Sequence, residues 1–357
     1  RSSFWICNIS IRSTTQQEVG LFVVVYIYLN KMVDKTLYNT TLAQTFSPCG
    51  NFLLAGNVYG EIAVFDLTNI LHPVDDRNGL PKPSYRFNVP RDEQVSSMVT
   101  TPEFLIVGTV GEITGWDWSS ICTNKHPKLS WTIQIPTLKN VEKPDVNSML
   151  VSENNMGGLL YAGCGDKDIH VFSLDDGKYV RRFTGHEDYI HSIDSLGNQL
   201  ISAGEDGSVR LWDMRQAAMT GIVHPYKDEK IARPHLGKWV GDVAINEDWM
   251  VCGGGPSLTL WNLRFLDVMT TFSSIEDSGI HISKFCDDRI LCGGSAKHLY
   301  HLSFSGDIYA QVESSSTTIY SVVFQEVPHK VLCVAGSSSN IDLCTNFSYR
   351  DQILCFA

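Results

Sequence analysis

The chain has 357 residues, a formal net charge of −11, 43% hydrophobic residues and 19% charged residues. That composition supplies a large apolar core and excludes a chain that is disordered throughout. With 28 basic residues against 39 acidic ones, it also argues against a broad phosphate-binding face, because non-specific nucleic-acid affinity rests on clustered Lys and Arg.

Residues 1–31 read differently from the rest. Leu21-Phe22-Val23-Val24-Val25-Tyr26-Ile27-Tyr28-Leu29 is an apolar run far shorter than the roughly 20 residues that a membrane-spanning helix needs. Glu18 stands just before it and no small-x-small cleavage site follows, which argues against a secretory signal. Met32 comes directly afterwards and is read as the initiator. Residues 1–31 are then a non-native or accessory leader, and 32–357 a single domain.

From residue 52 onward the chain repeats one phrase. An apolar run ends in a small residue and glycine, a polar turn follows, and an alternating strand closes the phrase. The copies run from Phe52 to Asp66, Phe104 to Asp117, Leu159 to Phe172, Leu200 to Asp213, Trp249 to Asn262, Ile290 to His301 and Val331 to Cys344. Gly56 to Gly336 spans 280 residues in six intervals, about 47 per repeat, the size of a four-stranded propeller blade. The apolar runs suit strands buried on both faces. Pairs such as Ile62 and Val64, or Val209 and Leu211, mark the half-buried strands that follow. Thr41–Phe46 and Ser84–Asn88 are the expected inner and outer strands of the first blade, and Thr318–Phe324 and Gln352–Phe356 those of the last. The expected fold is all-β: a seven-bladed β-propeller with four antiparallel strands per blade. One blade cannot cover its own apolar faces, whereas a closed ring covers them all and leaves no long edge. Either the C-terminal tail completes the last blade or residues 33–40 add a strand to it. The long connections 67–83, 118–130 and 214–238 are where a partner would be read.

Ten cysteines contain no Cys-x-x-Cys pair, and Cys252, Cys292 and Cys333 fall inside apolar runs, so they read as reduced core thiols. Three further patterns imitate chemistry. Ser202, His186 and Asp206 could suggest a nucleophile, but the serine is expected inside a buried strand. His186-Glu187-Asp188-Tyr189-Ile190-His191 has one residue too many for a zinc-protease helix, and no third ligand is placed nearby. Gly253-Gly254-Gly255-Pro256 lacks the lysine and helix of a phosphate loop. No catalytic residue, cofactor or metal is therefore expected, and the chain reads as a platform rather than an enzyme.

His186 after Gly185, Ser202, Asp206 and Trp212-Asp213 form a set that resembles the WD40-repeat family. That resemblance implies a structural hydrogen-bond relay of His186, Ser202, Asp206 and Trp212. The other six blades are expected to rely on apolar packing, with Phe65, Trp116, Phe172 and Trp261 at the comparable position. Longer stretches narrow the likeness: Thr45–Asn57, Thr184–His191, Arg233-Pro234-His235-Leu236-Gly237-Lys238-Trp239-Val240-Gly241, Asp248–Trp261 and Thr345–Arg350. Over roughly residues 40–357 these look like the subunit 6 family of the THO complex. The resemblance implies a nuclear, non-enzymatic scaffold of the transcription–export (TREX) machinery, set among other THO subunits, notably 5 and 7, and serving mRNA processing and export. It implies indirect contact with messenger ribonucleoprotein, no membrane, and little direct nucleic-acid binding.

Arg233, His235, Lys238 and Trp239 are the first candidates for protein docking, since Arg and Trp are enriched in binding hot spots. Trp239 reads equally as an inner-strand core residue, while Arg233 and His235 are expected at the surface. The rival reading is a substrate receptor of a cullin-type ubiquitin ligase. Trp212-Asp213-Met214-Arg215 matches the Trp-Asp-x-Arg motif of such receptors, and Trp261-Asn262-Leu263-Arg264 comes close. That likeness would make Arg215 and Arg264 adaptor contacts; the plainer reading is a surface ion pair.

Overall fold

The structure is a computed structural model that describes residues 38–73, 79–124, 126–137, 142–154, 157–216, 218–276 and 278–356. The reading of 1–31 as a leader and of Met32 as initiator lies outside these residues.

Seven four-stranded antiparallel sheets succeed one another along the chain. Blade one is β1 (Thr41–Phe46), β2 (Phe52–Asn57), β3 (Glu61–Asp66) and β4 (Tyr85–Asn88). Blade two is β5 (Ser97–Thr100), β6 (Phe104–Gly108), β7 (Glu112–Asp117) and β8 (Leu129–Gln134). Blade three is β9 (Val146–Asn154), β10 (Gly157–Cys164), β11 (Ile169–Ser173) and β12 (Tyr179–Phe183). Blade four is β13 (Ile190–Leu196), β14 (Gln199–Gly204), β15 (Val209–Asp213) and β16 (Ala218–Val223). Blade five is β17 (Val240–Ile245), β18 (Trp249–Gly254), β19 (Thr259–Asn262) and β20 (Asp267–Thr271). Blade six is β21 (Ile280–Cys286), β22 (Arg289–Gly294), β23 (His298–Ser303) and β24 (Ile308–Glu313). Blade seven is β25 (Ile319–Gln325), β26 (Val331–Gly336), β27 (Asn340–Cys344) and β28 (Gln352–Cys355). The seven-bladed architecture is the expected one.

Register explains the repeated phrase. Leu53 faces Phe65, Leu105 faces Trp116, Leu160 faces Phe172, Leu200 faces Trp212 and Met250 faces Trp261. The sixth copy is shifted by one: Leu302, not His301, faces Ile290. The core is divided into seven apolar clusters, one between each pair of neighbouring blades. The glycine that ends the second strand makes room for this packing. A Cβ on Gly56 would fall 2.8 Å from Val95 Cβ, and one on Gly253 would fall 3.1 Å from Ile280 Cβ. The following blade thus seats a β-branched residue on the bare backbone of the one before.

Side chains tie the inner strands together around the axis. Thr100 Oγ1 donates to Phe46 O at 2.7 Å, Ser97 Oγ to Val146 O at 2.6 Å and Asn147 Nδ2 to Ile190 O at 2.7 Å. Asp242 accepts from Ser192 Oγ on one side and from the Ser283 amide, at 2.6 Å, on the other. Gln44 Nε2 donates to Ser321 O at 3.1 Å and so crosses from blade one to blade seven.

β28 pairs with β27, so the tail completes the last blade, while residues 38–40 enter no strand. Prolines do break the first long connection: one helical turn, α1 (Leu67–Leu71), ends before Pro73. The connection then crosses the ring seam, where Pro81 O accepts from the Cys355 amide at 2.9 Å. The segment 214–238 is not all loop. It contains β16, whose Ala-Met-Thr-Gly-Ile-Val sequence has neither alternation nor flanking punctuation strong enough to announce a strand. No helix among the described residues is long and apolar enough to cross a membrane.

Candidate protein-docking site

The blade-four residues come together. His186 Nδ1 lies 2.9 Å from Asp206 Oδ2, His186 Nε2 lies 2.7 Å from Ser202 Oγ, and Trp212 Nε1 donates to the same Oγ at 2.9 Å. Burial alone would raise the Asp206 carboxyl, but the His186 imidazole and the Glu187 amide outweigh it and hold it well below the usual carboxylate range. All four side chains are buried, so the Ser-His-Asp arrangement meets no substrate. It satisfies polar groups that would otherwise be costly inside a sheet.

Two other blades carry a substitute that the residue order did not suggest. Trp116 Nε1 donates to Thr114 Oγ1 at 3.0 Å, and Trp261 Nε1 donates to Thr259 Oγ1 at 2.8 Å. Each indole finds its acceptor two residues back on its own strand. Packing is therefore not the only device in blades two and five. A Trp preceded by Thr at i−2 on an alternating strand is the signal that would have revealed it.

Among the described residues, Cys164, Asp166 and His170 bring metal-ligand atoms within 4.8 Å of one another. Burial pushes the Cys164 thiol well up, and His170 Nε2 is already paired with Asp166 at 2.8 Å. The buried Cys252 thiol is likewise pushed up, to about 12, which fits an inert core position.

The docking candidates separate. Arg233 differs from expectation. It is half-buried, and its guanidinium is turned inward, with Nε donating to Gly255 O at 2.8 Å and Nη2 to Gly254 O and Pro256 O at 3.0 Å each. It clamps the tight turn between β18 and β19, a contact more than twenty residues away in sequence. His235 and Lys238 are exposed. Lys238 Nζ stands 6.0 Å from the centre of the Tyr226 ring. Arg215, at the end of blade four, closes on Asp213 with Nε–Oδ1 at 3.0 Å and Nη2–Oδ2 at 2.8 Å, an exposed ion pair. Arg264 is exposed in the corresponding connection of blade five.

Trp239 is neither fully buried nor part of β17. It packs against His191 and His281, two residues that line the axial channel, a space of about 670 Å³ bounded by the inner strands of all seven blades. Its indole donates to Leu236 O at 2.8 Å and stacks on His281, with ring centres 5.0 Å apart and planes 21° apart. His281 meets Tyr320 at 5.1 Å, and His191 meets Trp239 edge-on at 6.5 Å. Burial holds the His281 imidazole down to about 4. His191, His281 and Tyr320 share an origin. The inner strands of six blades carry a register shift at their start, and the residue in the shift is Leu42, Asn147, His191, Gly241, His281 or Tyr320. A bulge re-aims one side chain, and here each of these residues lines the channel. In blade five the position is glycine, and a Cβ there would fall 2.7 Å from the indole of Trp239.

Residues 177–213 match the family described as WD domain, G-beta repeat. They include all four relay residues, His186, Ser202, Asp206 and Trp212. Over most of its length the chain is similar to curated relatives. It is 37% identical over 320 residues to THO complex subunit 6 of Drosophila melanogaster, covering 89% of each chain. It is 39% identical over 328 residues to THO complex subunit 6 of Homo sapiens, covering 90% of this chain and 94% of that one. THO complex subunit 6 of Arabidopsis thaliana is 24% identical over 258 residues, 68% of each chain. A propeller with one complete WD40 blade, matched over about nine-tenths of its length by the Drosophila and human relatives, belongs to the THO complex subunit 6 family.

Proposed function

We propose that this chain is a non-enzymatic scaffold subunit of a nuclear THO complex. Within the transcription–export assembly it supports the joining of other subunits, with THO subunits 5 and 7 as its neighbours. It thereby helps couple transcription and mRNA processing to mRNA export. The observation that carries this reading is near full-length similarity to curated relatives that bear the THO name. Two structural facts support it. The Ser-His-Asp set is buried and structural, and Tyr189, His235, Lys238 and Phe265 are exposed on loops at the rims. Such rims are where a propeller meets other proteins.

Affinity purification of the full chain from nuclear extract, followed by quantitative proteomics, tests the proposal. Co-enrichment of THO subunits is expected. Recovery of a cullin-ligase adaptor without any THO subunit would replace this reading with the rival one.

A further inference from the structure

We propose that the mouth of the axial channel is a socket for the cationic side chain of an arginine or lysine, presented by a basic segment of a partner protein. The inference rests on the scaffold reading above and names the chemistry of one contact within it.

Three observations carry it. The first is the row of rings: Trp239 stacks on His281, Tyr320 meets the same imidazole at a tilt of 58°, and all three are only partly buried. Faces of Trp and Tyr attract a cation placed over them, and a planar guanidinium also stacks. His281 beside them stays neutral, so it does not repel the incoming charge.

The second observation is charge. Among the described residues lining the channel, Asp194 and Asp242 face the single ammonium of Lys284. Burial pushes both carboxyls up, against the lowering effect of Lys284 and of the hydrogen bonds that each accepts. At the rim, Glu205 pairs with His191 Nε2 at 3.0 Å and adds a partly exposed carboxylate beside the rings. A cation at the mouth would meet the Glu205 carboxylate and a lining with more acid than base, whereas a phosphate would be repelled by both. This decides between a peptide and a nucleic acid, both of which could stack on the rings.

The third observation is that the space is made for the rings. The indole of Trp239 lies over Gly241 and Gly279, where added Cβ atoms would fall 2.7 Å and 3.0 Å from it.

The test uses the purified full chain and three fluorescein-labelled peptides of one Gly/Ser sequence carrying two Arg, two citrulline or two Glu. Anisotropy is read at physiological salt. The Arg peptide is expected to bind at least tenfold more tightly than the citrulline peptide, which keeps the shape and loses the charge. Trp239→Ala and Tyr320→Ala leave the net charge unchanged and are each expected to weaken binding tenfold or more. Asp175→Asn/Asp176→Asn, which removes acid from a different rim, is expected to change it less than twofold. Melting curves and the milder Trp239→Phe separate a folding defect from a lost contact. Equal binding of the citrulline peptide, indifference to both aromatic variants, or tighter binding of oligouridine at the same rings would each overturn the proposal. None of these results would alter co-purification with THO subunits, so the scaffold reading stands or falls separately.

Discussion

Arg350 Nη1 lies 3.2 Å from the Asp342 carboxylate, and that carboxylate is completely buried in blade seven. The same carboxylate accepts from Ser314 Oγ at 2.9 Å, Ser315 N at 2.7 Å and Ser315 Oγ at 2.5 Å. Blade seven has no histidine relay. It holds the loop before its inner strand with a charged clamp instead.

Asp342→Ala is expected to destabilise the protein by about 2–4 kcal/mol, since it leaves a serine amide and a guanidinium without their acceptor. Asp342→Asn should cost less. Equilibrium urea denaturation measures both. A loss below half a kcal/mol for the alanine variant would mean that water replaces the clamp.

The relay in blade four makes a second case. Ser202→Ala removes the partner of both His186 and Trp212 and should cost about 2–4 kcal/mol. Trp212→Phe keeps most of the ring and loses only the donor, so about 1–2 kcal/mol is expected. Trp212→Ala also empties a core site and should cost about 3–5 kcal/mol. Ordering of the three melting temperatures checks the assignment.

Arg233→Ala should destabilise rather than merely weaken association. Three turn carbonyls lose a charged donor, at about 1–3 kcal/mol in total. Arg233→Lys should recover only part of this, because an ammonium cannot reproduce the planar fork. A variant with unchanged melting and lost partner recovery would return Arg233 to the docking surface.

Acid should weaken the fold between pH 6.5 and 4. Burial holds His281 and His301 down to about 4 each, below the value near 6.5 of an unfolded chain. A base whose folded value is depressed contributes its stability in full above pH 6.5 and loses it as pH falls. At pH 4.5 the loss should be about 2 kcal/mol per imidazole. Asp194 and Asp242, raised by burial, work in the opposite direction and are relieved on acidification. The double variant His281→Gln, His301→Leu should therefore flatten the pH dependence of the melting temperature. An unchanged slope would show that the imidazoles are solvated.

Gly336→Ala should be among the most damaging small substitutions. The new Cβ would stand 1.8 Å from Thr318 O, so backbone must move, at a cost of about 3 kcal/mol. A melting temperature within two degrees of the parent would contradict this packing.

The strand order was legible because each copy of the phrase repeats a local pattern: an apolar run, a glycine and an alternating strand. The relay was legible because His186, Ser202, Asp206 and Trp212 stand within one blade at familiar spacings. The clamp of Asp342 was not, because an aspartate in an alternating strand gives no hint that it faces a loop 27 residues earlier. Arg233 was misread for the same reason: a cation in a proline-containing loop looks solvated until the turn that folds against it is known. The rings at the channel mouth escaped notice because each belongs to a different blade. The bulge shared by those inner strands turns His191, His281 and Tyr320 to one place, and Gly241 leaves room there for Trp239.

In the described ring, blade seven is built from consecutive strands and borrows none from the start of the chain. Where blade one meets blade seven, closure rests on packing and on contacts such as Gln44 with Ser321, Gln325 with Gly50 and Pro81 with Cys355. A strand shared between the two ends would act as a bolt; this arrangement is closer to a zip fastener. Heat or pulling force should therefore part the circle here first, and amide protons of β1 and β25 should exchange before those of β13 and β17.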